Sequence, residues 1–275
     1  MNTVLICPRN DEESLMILKL AKAIDLPVVI SDQPHGAKLH REPNLSMRIN
    51  RADELVKKVV IVEIPGVEEE EKLRAQGFEV VIIDHHRYDD LDRMQSKSSL
   101  EQFRELFGLD NQAVLKLGFD PIVVNAVGLI DRGFIWELAK EGWPQAEIEQ
   151  GIAGYRALAK ELDAEKFAQE EIDAEVAWRD REVRDGLVII KLDDDMLSIR
   201  EALSFIIARE YPAGPPTLVI LQGERRIYVQ DSDRAKDLFD HFGGFTFGQD
   251  RCWGMLAAVD RPLPSLDEVL AIVVK

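Results

Sequence analysis

The part of the sequence with the clearest chemical potential is the tripeptide Asp84-His85-His86, which directly follows an apolar run. That run, Val80-Val81-Ile82-Ile83, consists of β-branched residues and predicts a buried strand. Ligands of open α/β sheets bind beyond the carboxyl ends of the strands. Because the chain contains only five histidines, two adjacent ones at this point favour a functional site. The alternative is a strand that ends in an ordinary surface turn.

Carboxylates follow two further predicted strands in the same half of the chain. Asp11 and Glu13 come after the apolar residues 4–7, and Glu63 comes after the apolar residues 59–62. Together with a histidine they form a mixed set of oxygen and nitrogen ligands, which suits Mn²⁺ or Mg²⁺ better than a thiolate-bound zinc ion. For Asp11 and Glu13 an alternative remains, since acidic residues also stabilise the first turn of a helix.

Two later segments supply further candidates. Ser98 and Glu101 have the spacing of a helix capping box, and Ser98 and Ser99 could equally face a phosphate group at the helix start. Asp131 follows an apolar helix that we expect to begin at Asp120-Pro121. It is either a metal ligand or part of the turn that ends this helix.

The order of the predicted elements indicates an α/β protein. In residues 1–145, strands alternate with helices at the spacing of βαβ units, which predicts a parallel sheet. Within this domain we expect a long loop over residues 31–50 and a short helix over residues 52–58. Residues 146–184 are rich in Ala, Glu, Lys, Asp and Arg and predict a helical linker. Residues 185–275 return to an α/β pattern and predict a smaller C-terminal domain.

Composition narrows the range of partners. The formal net charge is −17, from 51 acidic and 34 basic residues, so the surface repels long polyanions and argues against a long nucleic acid. We expect a small or metal-bridged substrate instead, and homodimer formation stays open. No apolar run is long enough for a membrane span, and the N-terminus does not resemble a signal peptide. Two cysteines do not make a disulfide framework, which suggests a reducing cytoplasm.

Taken together, these motifs resemble the DHH phosphoesterase superfamily, which is named for its Asp-His-His motif. The resemblance implies an N-terminal lobe with two divalent cations, usually Mn²⁺, and a C-terminal lobe that closes over the cleft and grips the substrate. It further implies that His85 binds metal and that His86 contacts phosphate. Asp131, within Gly128-Leu129-Ile130-Asp131-Arg132-Gly133, corresponds to a metal ligand. Asp84 belongs to the same metal site, where it orients a histidine or supports the ligands.

The chain departs from the family pattern at several ligand positions. Glu63 stands where relatives have a metal-bridging Asp, and Cys7-Pro8 occupies the region of a family His. Gly243-Gly244 resembles a later glycine-rich motif but lacks the His that follows it in relatives. We therefore expect two sites of unequal quality. The well-formed site has Glu13, Glu63, His85 and Asp131 as ligands, and the second, weak or absent, keeps Asp11 and Glu63.

The resulting prediction is a metal-dependent phosphoesterase that hydrolyses a small phosphate ester or anhydride, such as a nucleotide, a short oligonucleotide or polyphosphate. In this prediction His86 and Arg225 or Arg226 stabilise charge on the phosphoryl oxygens. The two arginines could also simply form a solvated hairpin turn. The residues expected to bind substrate are Ser98, Ser99, Gly243 and Gly244.

Two alternatives come from other classes of protein. The first is a catalytically degenerate relative that acts as a nucleotide-binding or scaffold protein, which the altered ligand positions favour. The second is an α/β binder of sugars or nucleotides that uses no metal. The sequence has neither a GxGxxG nor a GxxxxGK[ST] stretch, which argues against dinucleotide binding and P-loop chemistry.

Overall fold

The structure, a computed structural model, describes residues 2–88, 90–193, 199–211 and 214–274. The chain divides into two compact units that interleave along the sequence. The first unit comprises Met1–His85, Lys97–Gly128 and Gln145–Leu162, and the second comprises His86–Ser96, Leu129–Pro144 and Asp163–Lys275. This division differs from the three contiguous ranges expected from the sequence, because short segments from the N-terminal half join the second unit.

The first unit contains a four-stranded sheet. Its strands are β1 (Thr3–Pro8), β2 (Val28–Ser31), β3 (Lys58–Val62) and β4 (Glu79–Ile83), in the order β2-β1-β3-β4. All three strand pairs are parallel, so the predicted α/β fold class with a parallel sheet is confirmed. Parallelism brings the carboxyl ends of all four strands to one edge of the sheet.

The two central strands of this sheet, β1 and β3, are buried on both faces, which explains why they are apolar without alternation. Alternate residues of β1 and β3, such as Val4 and Ile61, belong to a core that also contains Leu39, Ile49 and Leu73. The intervening residues of β1 face the other way and are equally buried. Burial of each such aliphatic side chain contributes about 1.5–3 kcal/mol relative to exposure.

In the described part of residues 2–133, six α-helices alternate with the strands of this sheet or follow them in sequence. They are α1 (Glu12–Ala23), α2 (Leu45–Ala52), α3 (Val67–Ala75), α4 (Ser99–Leu106), α5 (Asn111–Lys116) and α6 (Pro121–Gly133). The expected helix at residues 52–58 is wrong, since α2 ends where that helix was to begin and β3 already starts at Lys58. The expected loop at 31–50 instead holds a 3₁₀ helix, Leu39–Arg41, and most of α2, because Leu39 and Ile49 are drawn into the core.

The predicted helical linker is a helix, α8 (Gln145–Arg179), but it is interrupted at Asp163, whose φ of −159° and ψ of 97° are extended. The Asp163 carboxylate accepts a hydrogen bond from the Lys166 backbone N–H at 2.9 Å and so caps the following turn. The portion before the break packs within the first unit. There, a Cβ atom on Gly154 would lie 2.4 Å from a methyl of Val123 on α6, so the two helices touch closely.

The second unit is built on an eight-stranded sheet with the order β6-β5-β11-β12-β10-β9-β8-β7. Its strands are β5 (Arg87–Tyr88), β6 (Leu91–Asp92), β7 (Glu182–Arg184), β8 (Leu187–Leu192), β9 (Leu218–Gln222), β10 (Arg226–Gln230), β11 (Phe245–Phe247) and β12 (Cys252–Leu256). Every pair is antiparallel except β8–β9, which is parallel. The hairpin β5–β6 joins the sheet through the pairing of Arg87 with Thr246 and through an ion pair of 3.0 Å between Arg87 and Asp250.

Helices cover both faces of this second sheet. One face packs on α9 (Arg200–Glu210) and on the second part of α8, and the other packs on α10 (Ala235–Phe242) and α11 (Leu266–Val273). A short helix, α7 (Ile135–Lys140), lies beside α9. We expected the helix now seen as α9 to begin at residue 197, which lies outside the described residues. None of the helices in the described ranges is both long and apolar enough to cross a membrane.

Candidate metal centre

The first unit brings the predicted ligand residues to the carboxyl-end edge of its sheet. Asp84 and His85 directly follow β4, Glu63 directly follows β3, and Asp11 and Glu13 come after β1 at the start of α1. This placement confirms that the Asp-His-His tripeptide begins at the end of a strand, but the expectation of a buried strand is wrong, since β4 is the outer strand of the sheet and only its Ile83 is buried. The placement follows from the parallel pairing of β1, β3 and β4.

Three of these side chains form a compact cluster. Glu13, Glu63 and His85 each offer one ligand atom, and these atoms lie within 4.8 Å of one another. His85 Nε2 lies 3.2 Å from Glu63 Oε1. His85 and Glu13 are only 5% and 3% exposed. Two buried carboxylates that lie close together repel each other strongly because little water screens them, and a bound divalent cation offsets this repulsion. The donor set of two carboxylates and one imidazole therefore fits Mn²⁺ or Mg²⁺.

Glu63 is held in an unusual backbone conformation. Its φ of +49° lies in the left-handed region, which costs a non-glycine residue about 1–2 kcal/mol. The conformation is fixed by neighbours, because its backbone N–H donates to the Ile83 carbonyl at 2.9 Å. The Ser99 hydroxyl also donates to Glu63 Oε1 at 2.7 Å. Strain of this kind is concentrated at functional sites, where the surrounding structure imposes it.

The start of α4 supports the cluster. Glu13 accepts a hydrogen bond from the backbone N–H of Leu100, at 2.8 Å, so this helix end already interacts with a carboxylate. Ser98 forms the predicted capping box with Glu101, which confirms the capping alternative for Ser98. Both Ser98 and Ser99 are fully buried. Their contact with a substrate phosphate stays a prediction, while their observed partners are protein groups.

Asp84 and Asp11 have supporting contacts of their own. Asp84 is 1% exposed, and its backbone carbonyl accepts a hydrogen bond from the Gln102 amide at 3.1 Å. Asp11 caps α1, since its Oδ1 accepts from the Ser14 N–H at 2.7 Å and completes a capping box. The helix-start alternative for Asp11 is thus observed. Its second oxygen lies 3.9 Å from Nδ1 of His35, a residue that the sequence analysis did not single out.

Cys7 stands at the end of β1, where the family resemblance places a histidine. Its side chain is fully buried, and its thiol donates to the Ser14 carbonyl at 3.8 Å. Burial, and then the negative charges of Asp11, Glu63 and Glu13, raise the pKa of the Cys7 thiol well above its ordinary value. The thiol therefore stays protonated at neutral pH.

The other predicted site residues belong to the second unit. His86 is its first residue, and Asp131 lies in the part of α6 that is assigned to it. Arg225 is exposed in the β9–β10 hairpin turn, which confirms the turn itself, and Arg226 begins β10. Their roles toward phosphate stay predictions.

Gly243 and Gly244 connect α10 to β11 and have a clear structural role. Both have a positive φ, of 72° and 94°. A Cβ atom on Gly244 would lie 2.3 Å from the Gly254 carbonyl oxygen, and the Gly243 carbonyl accepts a hydrogen bond from the Trp253 indole at 2.7 Å. Close packing of the backbone explains the two glycines without a ligand, and substrate contact remains a prediction.

No family model and no curated protein matches the chain. Several solved structures are similar to it. An exopolyphosphatase-related protein from Bacteroides fragilis has 11% identity and a TM-score of 0.43, with 98% of this chain and 89% of that chain covered. Exonuclease RecJ bound to manganese has 14% identity and a TM-score of 0.42, with 93% and 86% covered. The pGpG-specific phosphodiesterase PggH from Vibrio cholerae has 14% identity and a TM-score of 0.45, with 99% and 97% covered.

Proposed function

We propose that this protein is a divalent-metal-dependent phosphoesterase that acts on a small phosphate ester or anhydride. The observation that carries the proposal is the cluster of Glu13, Glu63 and His85. Glu63 and His85 directly follow β3 and β4, and Glu13 lies in the first turn of α1, which comes after β1. The strained Glu63 is held in place by Ser99. A buried, pre-arranged set of hard ligands at the carboxyl edge of a sheet is typical of a catalytic cation site.

A cation held there would polarise a phosphoryl oxygen and make water a better nucleophile. The protein's own part is to hold the ligands rigidly, through the Ser99 hydroxyl and the Leu100 N–H, so that little reorganisation accompanies binding. We keep His86, Asp131 and one of Arg225 and Arg226 as the predicted contributors to phosphate and metal binding.

The net charge of −17 favours a small substrate, such as a nucleotide, a short oligonucleotide or polyphosphate, over a long nucleic acid. Cys7 and Cys252 are both buried free thiols, which supports our proposal of a reducing, cytoplasmic location. Mn²⁺ is the proposed cation, with Mg²⁺ as its substitute, and we expect one tight site.

The test combines metal binding with turnover. Metal-free protein should bind Mn²⁺ in a calorimetric titration and should then release phosphate or mononucleotide from members of a small-substrate panel. His85→Ala should abolish both the tight binding and the turnover. His40→Ala, at an exposed histidine, is the matched control and should change neither. Turnover that survives unchanged in His85→Ala refutes the proposal.

A second function is favoured by a specific observation. Asp11 is engaged as a helix cap, and Cys7 is a buried, protonated thiol, so the first motif offers fewer metal ligands than the family pattern. A catalytically degenerate protein that binds nucleotide without hydrolysing it would have these properties. Saturable nucleotide binding with no turnover under Mn²⁺ would select this alternative.

A further inference from the structure

The eight-stranded sheet of the second unit ends in a short edge strand. This strand, β7 (Glu182–Arg184), is the last in the order of the sheet, and among the described residues it pairs only with β8. Its central side chain, Val183, is apolar and 65% exposed. The open edge of a sheet is where a further chain can add a strand by backbone hydrogen bonds.

The backbone of Val183 is directed away from β8. The two strands are antiparallel, and Val183 stands opposite Val188. The N–H of Val188 donates to the Thr217 carbonyl at 3.0 Å, on the β9 side of β8, so Val183 and Val188 form a pair without hydrogen bonds between them. In such a pair the N–H and C=O of both residues face away from the partner strand. Val183 therefore presents one donor and one acceptor at the outer edge of β7.

The residues on either side of Val183 carry opposite charges. Glu182 and Arg184 lie on one face of β7, with Arg184 Nη2 2.8 Å from Glu182 Oε1. Their side chains are 41% and 40% exposed, so both can reach a further partner. The order negative, apolar, positive is complementary to itself when the strand is reversed. If a second β7 pairs antiparallel with Val183 opposite Val183, Glu182 of each copy stands opposite Arg184 of the other.

This order of charges favours a second copy of the chain as the partner. Many proteins place charged side chains on edge strands to keep copies apart. That protection requires repulsion, since like charges directly opposite each other destabilise a strand pair. In β7 the reversed copy meets opposite charges instead, which stabilise the pair.

We propose that β7 is a homodimer interface in which two copies pair antiparallel about a twofold axis at Val183. The two Val183 residues would exchange two backbone hydrogen bonds, and the Glu182 and Arg184 side chains would form two symmetric charge pairs between the copies. Because a three-residue edge buries little surface, we expect a weak, concentration-dependent dimer. The inference concerns assembly and is independent of the proposed function.

The test measures association of the full-length chain by sedimentation equilibrium. A small interface of this kind corresponds to a Kd between about 1 μM and 1 mM, and the protein concentrations should span this range. Glu182→Arg makes the edge positive and Arg184→Glu makes it negative, so each variant alone should dimerise about tenfold more weakly or worse. An equimolar mixture of the two variants should dimerise again, because their edges are complementary. Circular dichroism checks that both variants fold.

A cysteine on the proposed axis tests the register. Opposing Cα atoms of a hydrogen-bonded antiparallel pair are about 5.5 Å apart, a separation that a disulfide can span. Val183→Cys should therefore form a covalent dimer under mild oxidation. Val176→Cys is the matched control, since Val176 is another exposed valine of the second unit but lies in α8, and it should cross-link much more slowly. The native Cys7 and Cys252 are buried.

Each outcome bears directly on the interface. A wild type that stays monomeric up to about 1 mM refutes the homodimer and leaves the edge to a different partner. Undiminished association of Glu182→Arg and Arg184→Glu alone, or a mixture that stays monomeric, refutes the charge pairing on which the proposal depends. Equal cross-linking of Val183→Cys and Val176→Cys refutes the axis at Val183.

Discussion

Asp231 provides a quantitative test of the electrostatics in the second unit. It directly follows β10, is 6% exposed and has a φ of +55°. The pKa of its carboxyl is raised from 3.8 to about 7, and burial is the largest cause. The negative charge of Glu137 also raises this pKa, whereas the positive charges of Arg251 and Lys140 and the Trp136 indole lower it in part. Asp231 Oδ2 has no hydrogen-bond partner among the described residues. The ionised carboxylate is therefore poorly solvated in the folded protein.

The sign of the pH dependence follows from this raised pKa. Well below pH 3.8 the carboxyl is protonated in both the folded and the unfolded chain, and it has no effect on stability. Between pH 4 and about 7 the unfolded chain loses its proton first, so the free energy of unfolding falls as pH rises. Above about pH 7 the full penalty applies, and a pKa change from 3.8 to about 7 corresponds to about 4 kcal/mol as an upper bound.

The substitution Asp231→Asn removes the ionisation and suits the left-handed backbone, which Asn tolerates well. The variant should be more stable than the wild type at pH 8, by up to about 4 kcal/mol, and nearly equal to it at pH 4. All four tryptophans lie in the second unit, so urea unfolding followed by tryptophan fluorescence reports on that unit. Asp233→Asn is the matched control, since Asp233 also pairs with Arg251 but is 88% exposed. Equal pH dependence of the wild type and Asp231→Asn would refute the reasoning.

Three further predictions concern the first unit. Ser99→Ala removes the hydrogen bond to Glu63. Because loss of a residue that hydrogen-bonds a metal ligand typically weakens metal binding about 10–100-fold, we expect a loss of this size for Mn²⁺ in calorimetry. Unchanged affinity would contradict the supporting role of Ser99. Gly154→Ala forces a Cβ against Val123 and should cost about 1–3 kcal/mol in denaturant unfolding followed by circular dichroism. The double variant with Val123→Ala should recover part of that loss. Saturating the protein with Mn²⁺ at a hundredfold excess over its Kd should add about 2.7 kcal/mol to the unfolding free energy, and no shift of the urea midpoint would contradict specific binding.

The strands around the site were predictable because their signals are local. Long apolar runs define β1, β3 and β4, and the polar residues that follow them mark the carboxyl edge. The α2 helix was missed because its position depends on burying Ile49 against Leu39, a tertiary contact that outweighs local propensity.

The division into units was not predictable for a related reason. The two-residue strand β5 has no sequence signal of its own and becomes a strand only by pairing with β11, where Arg87 is opposite Thr246. The break in α8 at Asp163 was likewise not predictable, because no glycine or proline stands beside it in the sequence. His35 carried no motif, and only the fold of the β2 connection brings it to Asp11.

The candidate centre is held by contacts that do not depend on a ligand, and this bears on how it would work. Glu13 is oriented by the N–H of Leu100, and Glu63 by Ser99 and by its own strained backbone. These contacts fix like charges close together in a poorly hydrated place, where their repulsion opposes folding. A divalent cation bound between the carboxylates would cancel that repulsion. Relief of this repulsion would contribute to the free energy of cation binding. Variants that loosen Ser99 or Glu63 should therefore stabilise the metal-free protein relative to its metal-bound form.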